Sequence, residues 1–328
     1  MPLASTGDLV ARAAAAHSAV AAFNIITLEH VEAVVAGAES VAAPVVLQVS
    51  ENAVKFRHGR LLPLARAAVT AAERADVPVA LHLDHVQSDS LLRQAADAGF
   101  SSVMYDASRL PYAENLAATR AAADWAHAQG LWIEAELGEV GGKAGRWEGG
   151  APRGREGGAP RGREGSGPGG REGAAPDARG GAARPALDAH APGARTDPSE
   201  ARAFVADSAV DALAVAVGSR HAMTARTAAL DHDLIKDLSA ALDVPLVLHG
   251  SSGVPHRELT AAVAGGIAKV NVGTALNTAM TGAIRAYLAA HPEAVDSRGY
   301  LTVGRQAMAR TVADLLGVVD RTRARPTA

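Results

Sequence analysis

Residues 77–89 read VPVALHLDHVQSD. After Pro78 the run through Val79, Ala80, Leu81 and Leu83 is short, β-rich and apolar, the pattern of a strand buried on both faces. It nevertheless ends on His82, Asp84 and His85, with only Leu83 between them. Burying a charge without a partner costs several kcal/mol, so a core strand that closes on three titratable groups needs a reason at its tip. Period-2 alternation puts His82 and Asp84 on one face of the strand. His85 is expected to begin the following loop, so Asp84 need not share its role and can face the space at the strand tip.

The same pattern recurs along the chain. Candidate strands are Ala19–Ile25, Pro44–Ser50, Pro78–Asp84, Ser101–Asp106, Leu131–Leu137, Asp211–Val217, Pro245–Gly250 and Ala268–Gly273. Between them lie Ala-rich stretches such as SLLRQAADAG and NLAATRAAADWAHAQG, with apolar residues at helical spacing. Alternating strands and helices with continuous apolar strands imply a parallel sheet covered on both faces. Eight such units in roughly 250 residues imply a closed (β/α)8 TIM barrel in the α/β class. An open doubly wound sheet would call for a Gly-rich turn after an early strand, and the sequence has none.

Composition narrows the chemistry. The 328 residues are 48% hydrophobic with a net charge of −3, which gives no reason to expect nucleic acid or an anionic membrane as partner. No cysteine is present, so any metal must be held by His, Asp or Glu. No apolar run reaches the roughly 18 residues of a membrane span. The N-terminal residues lack a basic segment followed by a long apolar one. The expected compartment is the cytoplasm.

In a barrel of this kind the site lies at the C-terminal ends of the strands. The polar residues there are Asn24, Ser50, Asp84 with His85, Asp106, Glu136, His249 and Asn271, and GSRHAM after the sixth strand adds His221. One buried histidine is ordinarily a core residue with a satisfied hydrogen bond. Three at three strand tips beside carboxylates match the three-histidine pattern of a catalytic Zn2+ with an open fourth position. The small-residue loops HGSSGVP and NVGT each lead into a helix. Free backbone N–H groups and a helix N-terminus suit a phosphate, and barrels commonly bind phosphate at their last two loops.

The motifs AFNI, HLDH, SVMYDAS, EAELGEVGG, AVAVGSRHAM, LVLHGSSG and KVNVGT together resemble those of the class II, zinc-dependent fructose-bisphosphate and tagatose-bisphosphate aldolases. The resemblance runs from the N-terminus to at least Leu301. It implies a lyase of carbohydrate metabolism and glycolysis that reversibly cleaves fructose 1,6-bisphosphate to dihydroxyacetone phosphate and glyceraldehyde 3-phosphate. Tagatose 1,6-bisphosphate is the alternative substrate. It implies that His85, His221 and His249 hold the catalytic Zn2+ and that Asp84 is the acid at the aldehyde oxygen. Asp106 and Glu136 match positions that hold a second divalent metal in some relatives, or they orient the His ligands. Gly250, Ser251, Ser252, Asn271, Val272, Gly273 and Thr274 match the phosphate loops, which in relatives commonly also hold a monovalent cation. Asn24 and Ser50 match substrate contacts. Ala222 stands where many relatives have Gly, and Ala tolerates positive φ less well. Arg298, in DSRGY, resembles an Arg lent across a subunit interface to the distal phosphate, which implies a homodimer or homotetramer. No Schiff-base lysine is implied, and Lys269 falls inside a strand.

The chain departs from the family in one loop. Where relatives carry an acidic residue after GGK, this sequence has Ala144. From Glu148 to Arg179 an eight-residue motif (EGGAPRGR, EGGAPRGR, EGSGPGGR, EGAAPDAR) repeats four times. Gly, Pro and alternating charge cannot bury enough apolar surface to offset ordering, so 144–187 reads as a disordered low-complexity insertion within a single barrel domain, 1–328. Closure entropy grows only logarithmically with loop length, so the barrel tolerates it. The sequence resumes as DAHAPGARTDP, making Asp188 the candidate displaced base, with Glu148 and Glu139 as rivals. If the base is lost, the chain is a catalytically impaired phospho-sugar-binding homologue. Limited trypsin digestion is expected to cut at the arginines of 148–179 while the circular dichroism of the barrel persists; protection of those sites would show that the segment is ordered.

Overall fold

The structure is a computed structural model that describes residues 3–138 and 195–320. The insertion 144–187, Ala144, Asp188, Glu139 and Glu148 lie outside the described residues. Eight strands are present among the described residues: β1 (Val20–Asn24), β2 (Val45–Ser50), β3 (Val79–Val86), β4 (Ser102–Tyr105), β5 (Trp132–Leu137), β6 (Ala212–Val215), β7 (Leu246–Leu248) and β8 (Ile267–Val272). They form a closed barrel in sequence order, and every neighbouring pair is parallel. Each expected strand is found, with no end moved by more than two residues.

The first five inter-strand segments carry α2 (Leu28–Ser40), α3 (Glu51–Phe56) with α4 (Leu62–Arg74), α5 (Asp89–Leu92) with α6 (Ala95–Ala98), α7 (Tyr112–Ala128) and α8 (Pro198–Ser208). Then come α9 (His232–Ala241), a 3-10 turn (Ser251–Gly253) with α10 (His256–Ala264), and finally α11 (Thr274–Ala290) and α12 (Ser297–Val319). The interruption in the strand–helix rhythm therefore falls between β5 and α8. Helix starts follow local chemistry. Asp197 accepts from the N–H groups of Ser199 and Glu200, with Pro198 at the first helical position, where a missing N–H costs nothing. Asp231 caps α9 in the same way.

Strand alternation divides the apolar residues into two sets. Phe23, Leu47, Leu81, Val103, Ile133 and Leu213 face outward into the main core beneath the helices. Val20, Ala22, Val46, Ala80 and Ala268 face inward, where they meet Leu9 and Val10 of α1 (Thr6–Ala15). That helix, capped by Ser5, closes the N-terminal end of the barrel with apolar side chains. Polar groups are left to the other end.

β3 corrects one expectation. His85 does not begin a loop; the strand continues to Val86. Against β4 the register passes from Leu83↔Val103 to Val86↔Tyr105, so β3 carries one extra residue there. This is a β-bulge, and His85 occupies it with φ 50°. A left-handed backbone costs a non-glycine residue roughly 1–2 kcal/mol. In return, neighbouring residues that would point to opposite faces both reach the mouth: His85 Nε2 lies 3.9 Å from Asp84 Oδ2.

The C-terminal helix packs closely on α2. A Cβ at Gly37 would stand 2.6 Å from the Ala309 carbonyl oxygen and 2.7 Å from Val312 Cβ, so the two helices meet where one side chain is missing. Gly37→Ala gains about 1 kcal/mol of helix propensity, but overpacking against backbone costs about 1–3 kcal/mol. A net loss of about 1 kcal/mol is expected in denaturant unfolding, provided that the two-state criteria hold; unchanged stability would show that α12 yields at this contact.

Candidate metal centre

The structure brings His85 of β3, His221 from the loop after β6, and His249 just past β7 together. Their ring centroids are 5.1 Å (His85–His221), 4.8 Å (His85–His249) and 5.8 Å (His221–His249) apart, all edge-on. One nitrogen from each lies within 4.8 Å of the others, and His249 Nδ1 is 3.1 Å from His85 Nε2. Two ligands of a tetrahedral zinc at 2.0–2.1 Å stand about 3.3 Å apart.

The far side of two rings decides what those nitrogens are. His85 Nδ1 lies 2.9 Å from Asp106 Oδ2, so this nitrogen carries the proton and donates to the carboxylate, leaving Nε2 with a lone pair. Asp106 is itself fixed by Ser108, whose hydroxyl donates to Oδ1 at 2.6 Å. His249 Nε2 lies 2.7 Å from Glu134 Oε1, which leaves Nδ1 as the lone pair. Two lone pairs therefore face each other at 3.1 Å, an arrangement that favours a cation or a proton between them. Carboxylates behind imidazole ligands are the usual outer support of a metal site. The donor set fits Zn2+.

Asp106 Oδ2, 2.9 Å from His85 Nδ1, is placed to orient that ring. Its oxygen also groups with donors from His85 and Glu136 within 4.8 Å, a second set able to hold a divalent ion. Asp84 is buried beside the candidate metal centre, and its Oδ1 has no hydrogen-bond partner among the described residues. His82 Nε2, which likewise has no hydrogen-bond partner among the described residues, is 4.0 Å from that oxygen. The other His82 nitrogen contacts Ser102 Oγ at 2.7 Å. Complete burial pushes the His82 imidazole well below its ordinary value, and the nearby Lys269 charge adds to the effect.

Sequence reading missed Glu134 and placed Lys269 only as a strand residue. Both are fully buried, and Lys269 Nζ donates to Glu134 Oε2 at 2.8 Å. Burial alone would raise the Glu134 carboxyl; the Lys269 charge and the His249 hydrogen bond override it and hold it well below the usual carboxylate range. The available signal was period 2. Glu134 precedes Glu136 by two residues and Lys269 precedes Asn271 by two, so each shares a strand face with a residue already singled out.

The remaining candidates fall in two places. Asn24, at the end of β1, accepts from Gln48 Nε2 at 2.6 Å. Ser50 caps α3 and pairs in register with Asp84. Val272 ends β8, Gly273 caps α11 and Thr274 opens it. Ser252 Oγ accepts from the Ala275 N–H at 3.0 Å, joining the loop after β7 to the first turn of α11. Ser251 is buried, its hydroxyl donating to the Leu248 carbonyl. Asn271 turns toward His249, with Nδ2 2.9 Å from Nε2. Ala222 adopts φ 60°, a conformation that a glycine takes without strain. Arg298 does not join the site: it is exposed and holds Asp296 through Nε and Nη2.

A match to the protein family described as "Fructose-bisphosphate aldolase class-II" covers residues 4–322. Among solved structures, the YdjI aldolase from Escherichia coli K12 superposes with a TM-score of 0.74 at 26% identity, covering 98% of this chain and 99% of that one. A putative fructose-1,6-biphosphate aldolase from Coccidioides immitis gives 0.71 at 26%, covering 96% of each chain. The fructose-bisphosphate aldolase from Campylobacter jejuni gives 0.72 at 20%, covering 97% and 95%, and supports the fold.

Gly250 links two of the three histidine segments. It has φ 67°, and a Cβ there would lie 2.6 Å from the Arg220 backbone, so the residue after His249 presses on the residue before His221. Gly250→Ala is expected to lower stability by more than about 1 kcal/mol and to weaken zinc binding by displacing the His221 loop. Zinc titration beside thermal melting checks this; unaltered zinc affinity would separate the two loops.

Proposed function

The chain belongs to the class-II fructose-bisphosphate aldolase family, and from that premise we propose that it is a zinc-dependent ketose-bisphosphate aldolase acting on fructose 1,6-bisphosphate. The observation that carries the zinc dependence is the set of three imidazole nitrogens within 4.8 Å, two of them backed by carboxylates. His85, His221 and His249 would hold the ion. When bound, zinc supplies a Lewis acid that stabilises the negative charge developing on the substrate oxygens.

The protein's own groups do the rest. Asp84 lies beside His85 with one carboxylate oxygen not hydrogen-bonded among the described residues, suited to take the hydroxyl proton in cleavage and to return it to the aldehyde oxygen in condensation. The first turn of α11, joined through Ser252 to the turn Ser251–Gly253, offers N–H groups and the positive end of a helix to the phosphate of the dihydroxyacetone-phosphate half. These loops are also the proposed place for a monovalent cation. Asn24, Ser50, Asn271 and the Ala222 N–H are assigned to substrate contacts, and Asp106 with Glu136 to a second divalent metal. Asp188 is proposed as the base that moves the remaining proton. A carboxylate delivered by a long segment has less orientation built in, which lowers its effective molarity.

Arg298 is proposed to reach a distal phosphate of a neighbouring copy in a homodimer or homotetramer, exchanging Asp296 for that anion. No helix among the described residues is long and apolar enough to cross a membrane; a cytoplasmic, glycolytic role remains part of the proposal.

Cleavage assays with fructose and tagatose 1,6-bisphosphates, with and without a chelator, test the reading. Chelator-sensitive cleavage of the fructose sugar is expected, with less of the tagatose epimer. Zinc-dependent binding without turnover would instead support the impaired, sugar-binding homologue that Ala144 and the insertion suggest. Asp84→Ala is expected to retain zinc and fold while turnover falls about 10²–10⁴-fold; near-parental turnover would make Asp84 structural.

A further inference from the structure

The metal centre rests on a buried ion pair whose members would touch neither metal nor substrate. Glu134 belongs to β5 and Lys269 to β8, strands that are not neighbours in the barrel, so their contact crosses its interior. Lys269 Nζ makes two hydrogen bonds there: one to Glu134 Oε2 at 2.8 Å and one to Asn271 Oδ1 at 2.9 Å. The other end of each partner meets the same atom. Glu134 Oε1 is 2.7 Å, and Asn271 Nδ2 2.9 Å, from His249 Nε2. One ammonium thus grips both side chains that flank the back of the His249 ring, and all four residues are buried.

Stability does not account for the arrangement. A buried ion pair can often be replaced by apolar side chains of similar volume without loss, and the inward-facing residues at the other end of this barrel are apolar. What an apolar pair cannot do is accept a hydrogen bond from one chosen imidazole nitrogen. The Lys269 amine is also fully buried and committed to two acceptors, which removes it as a nucleophile.

We propose that Lys269 is a positioning residue for the metal centre, acting through Glu134 to orient the His249 ring with Nδ1 toward the ion. The proposal rests on the zinc reading above. It predicts that a side chain remote from the ion sets zinc affinity, and that its effect passes through Glu134.

Zinc affinity of the full-length protein, measured by competition with a chromophoric chelator, is the readout, together with the visible spectrum of the Co2+-substituted protein. Glu134→Gln preserves shape and an acceptor oxygen but removes the charge; a loss of zinc affinity of roughly 10–100-fold is expected, the range for outer-shell partners of ligating histidines. Lys269→Met is expected to lose a similar factor and to shift the Co2+ bands. The double variant E134Q/K269M, neutral and close to isosteric, is expected to bind zinc no more weakly than E134Q alone, because two residues acting in series are not additive. If Lys269→Met does not fold, comparison of the double variant with E134Q carries the test alone. Affinities within about twofold of the parent for both single variants, or losses that multiply in the double, would overturn the proposal. His85→Ala separates the two levels. Loss of zinc there, with parental affinity in E134Q and K269M, refutes only the role of Lys269. Parental affinity in His85→Ala refutes the metal centre itself.

Discussion

Two imidazole lone pairs, His85 Nε2 and His249 Nδ1, face each other at 3.1 Å, and much of the polar chemistry of the barrel lies behind them. Like ends of two dipoles do not stay in contact unless something holds them there. Asp106 and Glu134 do so by accepting the protons on the opposite nitrogens. Each carboxylate in turn needs support, because an isolated buried charge is far more costly than a paired one. Ser108 supports Asp106 and Lys269 supports Glu134. The interior is thus organised outward from the gap between two nitrogens.

The backbone meets the same demand. His85, Ala222 and Gly250 have φ of 50°, 60° and 67°, so each of the three clustered histidines either sits in, or adjoins, a left-handed residue. Only one of these is glycine. Backbone strain of this kind, of order 1–3 kcal/mol at each of the two non-glycine sites, persists where surrounding structure over-determines the conformation. Here parallel strands anchor the segments from below. The bulge in β3 is what lets Asp84 and His85, consecutive in sequence, serve one site.

The two ends of the barrel solve opposite problems with the same alternation. At the N-terminal end, inward-facing Val20, Ala22, Val46 and Ala80 pack against α1 and exclude water. Two residues further along β2 and β3 the same faces present Gln48 and His82, and then Ser50 and Asp84. An apolar floor keeps the polar layer in a low-dielectric setting, where charge-assisted hydrogen bonds are stronger and unpaired groups are more costly.

The sequence by itself determined the barrel, the strands and the three histidines. Continuous apolar strands alternating with helical spacing admit few folds, and polar residues at strand ends stand out against an apolar background. It also named Asp84, because a carboxylate between two histidines at the end of a core strand has no cheap structural explanation. Only the tertiary structure decided how those groups are oriented. The left-handed turn at His85 follows from register against β4, which no local pattern encodes. The role of Asp106 depends on which atom of His85 it reaches. Glu134 and Lys269 are 135 residues apart, and each reads alone as a misplaced charge within a strand. Their pairing exists only because closing the barrel turns β5 and β8, three strands apart, toward one narrow interior, where each buried charge is met by the other.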